Sequence, residues 1–449
     1  MEAFPLNNTI CAIATPAGGA IGVIRVSGEN AVRCMDGIFS KSLADAKGFT
    51  LHYGEIKDGD DVIDDVMVSL FRAPRSYTGE DAVEISCHGS AYIMRRILQL
   101  LIRNGCRQAG PGEYTKRAFL HGKMDLSQAE AVADLISASN QASHRLAVSQ
   151  LRGHFSDTLS LLRDELLHLT TLLELELDFS DHEDLEFADR KEILSLAGQI
   201  DRRITTLSDS FQTGNALKEG IPVAIVGKTN VGKSTLLNQL LHEERAIVSD
   251  IHGTTRDVIE DTVQLHGVTY RFIDTAGIRQ TRDTIEQLGI DRTWQMIHKA
   301  LIVVWLTDEE PSSEETEEML RQTEGKHLIQ VRNKSDLNPS APTDTGILNI
   351  SAKYGSGISE LEEAIYQAAD IPEINESDVI VTNARHYEAL LHAHESLTEV
   401  IHGLEMNLSA DLLSESLRSC LHHLADITGG AITPDETLQN VFKNFCVGK

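Results

Sequence analysis

The chain is short of positive charge, of paired cysteines and of long apolar runs, and each shortage removes a class of protein. Only 40 Lys and Arg stand against 68 Asp and Glu, a net charge of −28. Broad, nonspecific nucleic-acid binding works by neutralising phosphates, so this balance argues against it, while leaving room for a local basic patch or an RNA-binding partner. Much of the acid lies in two runs, Asp178 to Glu186 and Glu309 to Glu318, which read as solvated loops. The six cysteines (Cys11, Cys34, Cys87, Cys106, Cys420 and Cys446) form no CxxC pair and no zinc spacing. They read as reduced thiols of a cytoplasmic protein. No apolar run approaches a membrane span, and the start, Met-Glu-Ala-Phe-Pro, lacks the basic stretch of a signal peptide. The expectation is a cytoplasmic protein with no membrane association. At 41% hydrophobic and 24% charged residues the mix is that of a globular protein. Its 449 residues give room for roughly three domains.

What the chain has is four short motifs in one order. The first, Gly227-Lys228-Thr229-Asn230-Val231-Gly232-Lys233-Ser234, fits GxxxxGK[ST]. It follows the apolar run Val223 to Val226 and opens onto Thr235-Leu-Leu-Asn-Gln-Leu, which reads as a helix. In a strand–loop–helix of this kind, backbone N–H groups and the helix N-terminus cradle phosphates. Lys233 then neutralises β- and γ-oxygens, and Ser234 is placed to bind Mg²⁺. The second motif is Asp274-Thr275-Ala276-Gly277 and the third is Asn333-Lys334-Ser335-Asp336, which follows the apolar strand His327 to Val331. Asp336 offers a carboxylate to the paired N1–H and N2 donors of guanine. Adenine lacks that pair and would leave the carboxylate buried and unpaired. In the fourth motif, Ser351-Ala352-Lys353, the backbone amides of Ser351 and Ala352 complete the contact with the guanine carbonyl. Together the four imply a guanine-nucleotide hydrolase.

Between the first two motifs, Ser249-Asp250-Ile251-His252-Gly253-Thr254-Thr255-Arg256-Asp257 occupies the place of a switch loop. One of its threonines closes onto Mg²⁺ and the γ-phosphate, and Thr255 is the choice. After Gly277 a Ras-type GTPase places Gln to orient the attacking water. Here stands Ile278, which has no hydrogen-bonding group, so the water is organised otherwise. Nearby carboxylates are Asp283 and Glu286, with Arg279 and Arg282 as candidate charge stabilisers. Spacing alone leaves Glu286 balanced between a catalytic role and an exposed helix position.

The first 120 residues carry short strand signals (Ile21 to Val26, Asp65 to Leu70, Ala82 to Cys87), then helical spacing from Tyr92 to Ile102. This reads as an α+β domain. From about Leu126 to Phe179 Pro is absent and Gly153 stands alone, while Leu159, Leu162, Leu166, Leu169 and Leu173 recur at helical intervals. A further helix is expected from Arg190 to about Phe211, and helical periodicity returns from Ala384 to about Ile427. The nucleotide-binding segment therefore interrupts a helical region whose two parts pack together, since inserted domains enter and leave through nearby termini. The expected fold is multidomain, α/β plus α. Its parts are an α+β domain over 1–121, a discontinuous helical domain over 122–218 and 373–449, and an inserted Ras-like P-loop GTPase domain over 219–372.

With these residues in hand, the whole chain resembles the bacterial tRNA-modification GTPase family MnmE (TrmE). The resemblance is carried by Ala14-Thr-Pro, Tyr77-Thr-Gly-Glu-Asp, Arg107-Gln-Ala-Gly-Pro-Gly-Glu-Tyr and Lys123-Met-Asp-Leu-Ser-Gln-Ala-Glu. It also rests on Gly253-Thr-Thr-Arg-Asp and on the closing Phe445-Cys-Val-Gly-Lys449, near the family's Cys-Ile-Gly-Lys signature. The resemblance implies a homodimer joined through N-terminal domains that bind a reduced folate (5-formyl- or methylene-tetrahydrofolate). It implies G domains that meet across the dimer during hydrolysis. It also implies a FAD-dependent flavoprotein partner, MnmG (GidA), in a heterotetramer or larger complex. In the family the two together install an aminomethyl-type group on carbon 5 of the wobble uridine of certain tRNAs, and the resemblance implies the same activity here. The family uses K⁺ in place of an arginine finger. The ligands map to the Asn230 side chain and to backbone oxygens of Ser249, Ile251 and Thr254. Glu286 falls at the family's catalytic glutamate. Folate ligands map to Arg25, Glu84 and Lys123, with Lys449 reaching the same region; each residue taken alone reads as a surface charge. Cys446 is either a candidate nucleophile or a buried structural thiol beside Phe445. Two departures stand out: Thr229 where the family has Pro before Asn230, and Val447 in place of Ile. The competing reading is a regulatory ribosome-assembly GTPase with no base-modifying role, which the N-terminal domain and the C-terminal tail disfavour.

Overall fold

The computed structural model describes residues 9–178, 190–243, 261–273, 294–337, 346–371, 378–430, 438, 441–443 and 445–448. The chain divides into two compact units: Met1–Ile136, Gln150–Asp201 and His392–Lys449 in the first, Ser137–Ser149 and Arg202–Leu391 in the second.

The first unit holds a six-stranded sheet. Its strands are β1 (Ile10–Ile13), β2 (Ile21–Ser27), β3 (Thr50–Asp58), β4 (Asp61–Phe71), β5 (Ala82–His88) and β6 (Arg107–Gln108), in the order β3-β4-β5-β2-β1-β6. All neighbours are antiparallel except β1 and β6. Period-two patterning sets the faces: Val66, Val68 and Leu70 of β4 and Val83, Ile85 and Cys87 of β5 are buried. That face packs on the helix Ala91–Arg103 through Met94, Ile97, Leu100 and Leu101. The opposite face carries Arg25 of β2 directly across from Glu84 of β5.

The helical stretch after residue 125 resolves into Leu126–Ser137, Gln141–Leu151 and His154–Asp178. The break before the third coincides with Gly153 in the left-handed region (φ +93°). Leu159, Leu162, Leu166, Leu169 and Leu173 are all buried, and this helix packs against Ala410–Thr428, whose Leu413, Leu417, Cys420 and Leu424 face inward. The periodicity expected over 384–427 belongs to two helices, Ala384–Glu405 and Ala410–Thr428. Asn407 at φ +58° and the Ser409 cap separate them. The helix Arg190–Glu219 runs past its expected end at Phe211, because Leu217 is still claimed by an apolar core.

In the second unit six strands, β7 (Ile221–Val226), β8 (Asp261–Leu265), β9 (Val268–Phe272), β10 (Ile302–Thr307), β11 (His327–Arg332) and β12 (Leu348–Asn349), order as β12-β11-β10-β7-β9-β8. Only the β8–β9 hairpin is antiparallel. Both faces are covered, so β7 and β10 read as unbroken apolar runs. The loops leaving the carboxyl ends of β7, β11 and β12 carry the first, third and fourth motifs, which is where parallel sheets of this kind bind ligands. One expectation is corrected. Most of the acidic run Glu309 to Glu318 is not a loop: it enters the helix Ser313–Gln322, opened by a capping box between Ser312 and Glu315. Acid in a first turn complements the helix dipole. Of the other acidic run, residues 179 to 186 lie outside the described residues.

Candidate nucleotide site and N-terminal cleft

The loop after β7 wraps back on itself. A Cβ on Gly227 would stand 2.1 Å from the Leu306 carbonyl oxygen, and one on Gly232 would stand 2.3 Å from Asn333 Nδ2. Glycine is therefore required at both positions by close approach. Asn230 sits at φ +64°, a conformation Asn tolerates, and is exposed at the loop's tip. Val231 is buried beneath it. Lys233 and Ser234 begin the helix Lys233–Glu243, with Thr235 exposed on its first turn. The Lys233 ammonium curls under the loop, donating to the carbonyl oxygens of Gly227 (2.6 Å) and Lys228 (2.7 Å). Burial pulls its pKa below the usual lysine range. Lys228 points away and pairs with Glu315 (2.6 Å).

The third and fourth motifs are joined to this loop through one side chain. Asn333, 5% exposed, donates from Nδ2 to the Val231 carbonyl oxygen at 2.7 Å and accepts the Ala352 N–H at Oδ1 at 2.9 Å. The asparagine of the guanine motif thus pins the phosphate loop to the base-recognition loop. Lys334, at φ +61°, is held by Asp308 (2.7 Å). Ser351 Oγ donates to Asp336 Oδ1 (2.6 Å), which orients a carboxylate that is otherwise exposed, so the burial invoked for base selection comes with the base itself. Lys353 lies over the Tyr354 ring, 4.9 Å from its centroid. Ser249, Asp250, Ile251, His252, Gly253, Thr254 and Thr255 lie outside the described residues, as do Asp274, Thr275, Ala276, Gly277, Asp283 and Glu286.

A second constellation lies on the outer face of the first unit's sheet. Arg25 Nε donates to Glu84 Oε1 at 2.7 Å, both side chains about one-third exposed, and both line a cavity of about 90 Å³. Its lining includes Ser27, Phe71, Tyr77, Thr78 and Tyr114. The C-terminal tail reaches this place: Arg25 Nη1 donates to the Gly448 carbonyl oxygen (3.2 Å), and Pro111 bridges Val447. Arg25 and Glu84 are therefore a register-matched pair rather than two unrelated surface charges. Lys123 stands outside the lining and donates to the Pro74 carbonyl oxygen (3.0 Å). Lys449 lies outside the described residues. Cys446 is exposed, which removes its reading as a buried thiol; Cys11, Cys34, Cys87, Cys106 and Cys420 are the buried ones.

Motif reading missed what stands behind this cleft. Arg117, 1% exposed, donates to both oxygens of Glu80 (2.9 and 3.0 Å) and to Glu113 Oε1. Arg107 also grips Glu113, and Ser27 Oγ donates to Glu80 Oε2 (2.8 Å). The available signal was two arginines and two glutamates within 107–117 and at 80, inside or next to the quoted family motifs.

A phosphate loop at the carboxyl end of a central parallel strand, tied to a guanine-selecting Asn-Lys-x-Asp turn, defines a P-loop GTPase. Family models match the chain as GTP-binding protein TrmE N-terminus over residues 9–123 and as MnmE helical domain over residues 126–446. A tRNA modification GTPase MnmE from Phocaeicola vulgatus is 53% identical, covering 98% of this chain and 99% of its own. The proteins so named in Bacteroides thetaiotaomicron and Porphyromonas gingivalis are 53% and 49% identical, with 98% of this chain covered in each case and 99% and 98% of theirs. The chain belongs to the MnmE family of tRNA modification GTPases. It is a GTP-binding, GTP-hydrolysing enzyme of tRNA modification, of the family's three-part make-up: N-terminal, helical and G domains. No described helix is long and apolar enough to cross a membrane.

Proposed function

We propose that this GTPase is activated by K⁺. With the FAD-dependent partner MnmG, it uses a one-carbon unit of a reduced folate to form 5-(carboxymethyl)aminomethyl-type wobble uridine. The observation that carries the reading is the meeting of the C-terminal tail with the Arg25–Glu84 cleft. A regulatory switch has no use for that meeting. A carboxylate beside a guanidinium suits the amino and ring nitrogens of a pterin and the anionic glutamyl tail. One chain supplies only part of the enclosure, since about 90 Å³ falls short of the roughly 300 Å³ at the low end of ligand pockets. A second copy completes it in a homodimer, and the edge strand β3 offers Leu51 and Tyr53, 61% and 58% exposed, for such a contact.

At the nucleotide site Ser234 offers its hydroxyl to Mg²⁺ together with Thr255. Asn230, exposed at the loop's tip, supplies the side-chain oxygen for K⁺. A fixed cation there offsets charge developing on the β–γ bridge, work for which arginine fingers contribute about 10³–10⁵ in rate. Glu286 orients the water that Ile278 cannot. The domain limits that go with this reading are 1–121, 122–218, 219–372 and 373–449. Two measurements test the proposal. Mass spectrometry of tRNA nucleosides from a deletion strain should show wobble uridine lacking the substituent, restored by this chain. Purified protein should hydrolyse GTP fast in K⁺ and slowly in Na⁺, with similar nucleotide affinity in both. Intact wobble uridine in the deletion strain would favour the ribosome-assembly reading, and equal turnover in both salts would remove the cation.

A further inference from the structure

The β8–β9 hairpin is bracketed in sequence by the segment read as a switch loop and by the Asp274–Gly277 motif. β8 starts at Asp261, shortly after Thr255, and β9 ends at Phe272, two residues before Asp274. Its tip, His266 (φ +50°) and Gly267 (φ +78°), forms a two-residue turn with both residues left-handed. Within the second unit this tip rests on the start of the helix Gln141–Leu151.

The contact is built from hydrogen bonds, with one residue doing two jobs. Asn140 Oδ1 accepts the Ser143 N–H (2.8 Å), capping the helix, while its Nδ2 donates to Thr269 Oγ1 on β9 (2.8 Å). The Ala142 N–H, which has no partner within its own helix, donates to the Gly267 carbonyl oxygen (3.2 Å). Gln264 Nε2 donates to the Ser139 carbonyl oxygen. Asn140, Ser143 and Thr269 are all at least nine-tenths buried. Ala142 and Leu146 share one apolar core with Val263, Leu265, Val268 and Tyr270. A Cβ on Gly267 would stand 3.0 Å from Gln141 Oε1.

We infer that the Asn140–Thr269 clip makes the hairpin and the helix Gln141–Leu151 move as one body, so that nucleotide state is passed from the two segments that flank the hairpin into the helical part of the chain. Asn140 and Thr269 are positioning residues, since neither belongs to the motifs that hold nucleotide. The inference rests on the reading of 249–255 as a switch loop and of 274–277 as a nucleotide motif, and extends the proposed function by naming the contact that transmits turnover.

The decisive variant is Thr269→Val, which removes the hydroxyl while keeping the β-branched shape and leaves the Asn140 cap in place. Thr269→Ser is the rescue. Amide hydrogen exchange of residues 141–149 is measured in the full-length protein with GDP and with a nonhydrolysable GTP analogue. In wild type the exchange rates should differ between the two nucleotides by about fivefold or more, the low end of allosteric coupling. Thr269→Val should abolish that difference while GTP affinity and basal turnover stay within about twofold, and Thr269→Ser should retain it. No nucleotide dependence in wild type, or the same dependence in Thr269→Val, overturns the inference. So does a Thr269→Val protein that has lost GTP affinity, because Thr269 would then serve the nucleotide itself. Wobble-uridine analysis of the same variants keeps the two readings apart: coupling seen in exchange with no modification by wild type sinks the proposed function and leaves the clip standing.

Discussion

Asn333→Ala should destabilise the nucleotide-binding unit before any nucleotide is added. The side chain makes two bonds to backbone groups of residues that water barely reaches, Val231 and Ala352, 2% and 1% exposed. Truncation leaves a carbonyl and an N–H without partners, at about 1–3 kcal/mol each, so the cost is about 2–6 kcal/mol. Both tryptophans, Trp294 and Trp305, lie in the second unit, so intrinsic fluorescence follows that unit alone. With a urea m-value of about 2 kcal/mol/M, the midpoint should fall by about 1–3 M. Asn333→Asp keeps the acceptor for Ala352 but turns a second oxygen on the Val231 carbonyl, and should be no milder. Asp336→Ala is the control, because Asp336 is exposed and its loss orphans only the hydroxyl of the buried Ser351; it should cost about 1 kcal/mol, well below Asn333→Ala. An Asn333→Ala midpoint equal to wild type, or a loss no greater than that of Asp336→Ala, refutes the pinning argument.

Three further outcomes follow from the same geometry. Asp336→Asn should cut GTP use sharply and admit xanthosine triphosphate, since the amide donates to xanthine's added carbonyl; unchanged GTP affinity would misplace the base contact. Tyr270→Phe should leave stability unchanged or raise it by up to about 1 kcal/mol, because the buried Tyr270 hydroxyl has no hydrogen-bond partner among the described residues; a clear loss in the fluorescence assay would reveal one. For Glu113, burial pushes the carboxyl up, but hydrogen bonds from Arg107 and the Gly110 N–H, with the Arg107 and Arg117 charges, outweigh it and hold the pKa below the usual 4.5. A depressed folded-state value stabilises fully above the unfolded one, so the first unit should lose stability as pH falls below 4.5; Glu113→Gln should flatten that acid slope while costing stability at neutral pH, and an unchanged slope in hydrogen exchange of residues 107–118 would contradict it.

The elements legible in the sequence were those whose apolar spacing has a single reading. β5 and the helix Ala91–Arg103 lie within one residue of their expected ends, because period two and period 3.6 cannot be confused over those lengths. The run Glu309 to Glu318 misled because charge density says loop, while Ser312 and Glu315, three apart, form a cap whose local hydrogen bonds decide the matter. In the nucleotide site the motifs gave the residue types but not their internal bonds. Asn333 reads as a base-recognition residue, yet both of its hydrogen bonds in the structure go to the chain itself. Such a bond joins positions 102 residues apart, and no local pattern encodes it. Arg117 was illegible for the opposite reason. A lone arginine on a short helix reads as surface, and the approach of Glu80 from a distant loop, joined with Glu113 one turn earlier, makes its burial tolerable.

The Arg25–Glu84 cleft shows why the chain's two ends belong to one argument. Register alone puts Arg25 across from Glu84, and a pair so exposed contributes little to stability. The tail changes what the pair can do. Gly448 adopts φ +98°, and a Cβ there would stand 2.8 Å from the Ile13 carbonyl oxygen, so the approach of the tail to β1 admits glycine and little else. That approach brings the Gly448 carbonyl to Arg25 and leaves Cys446, two residues earlier, exposed. Gly112, at φ +61° and with Phe445 Cβ 2.8 Å from its own absent Cβ, is the matching close contact on the other side. Gly112 and Gly448, far apart in sequence, thus each give up a side chain to the same docking. Docking the tail costs the entropy of fixing it. No apolar residue of the last four is buried to offset this, since Val447 is 45% exposed, so the anchor is Phe445, packed with Phe442 on Leu126 and Ala129. The apolar anchor holds the tail, and the polar residues beyond it are left to work at the cleft.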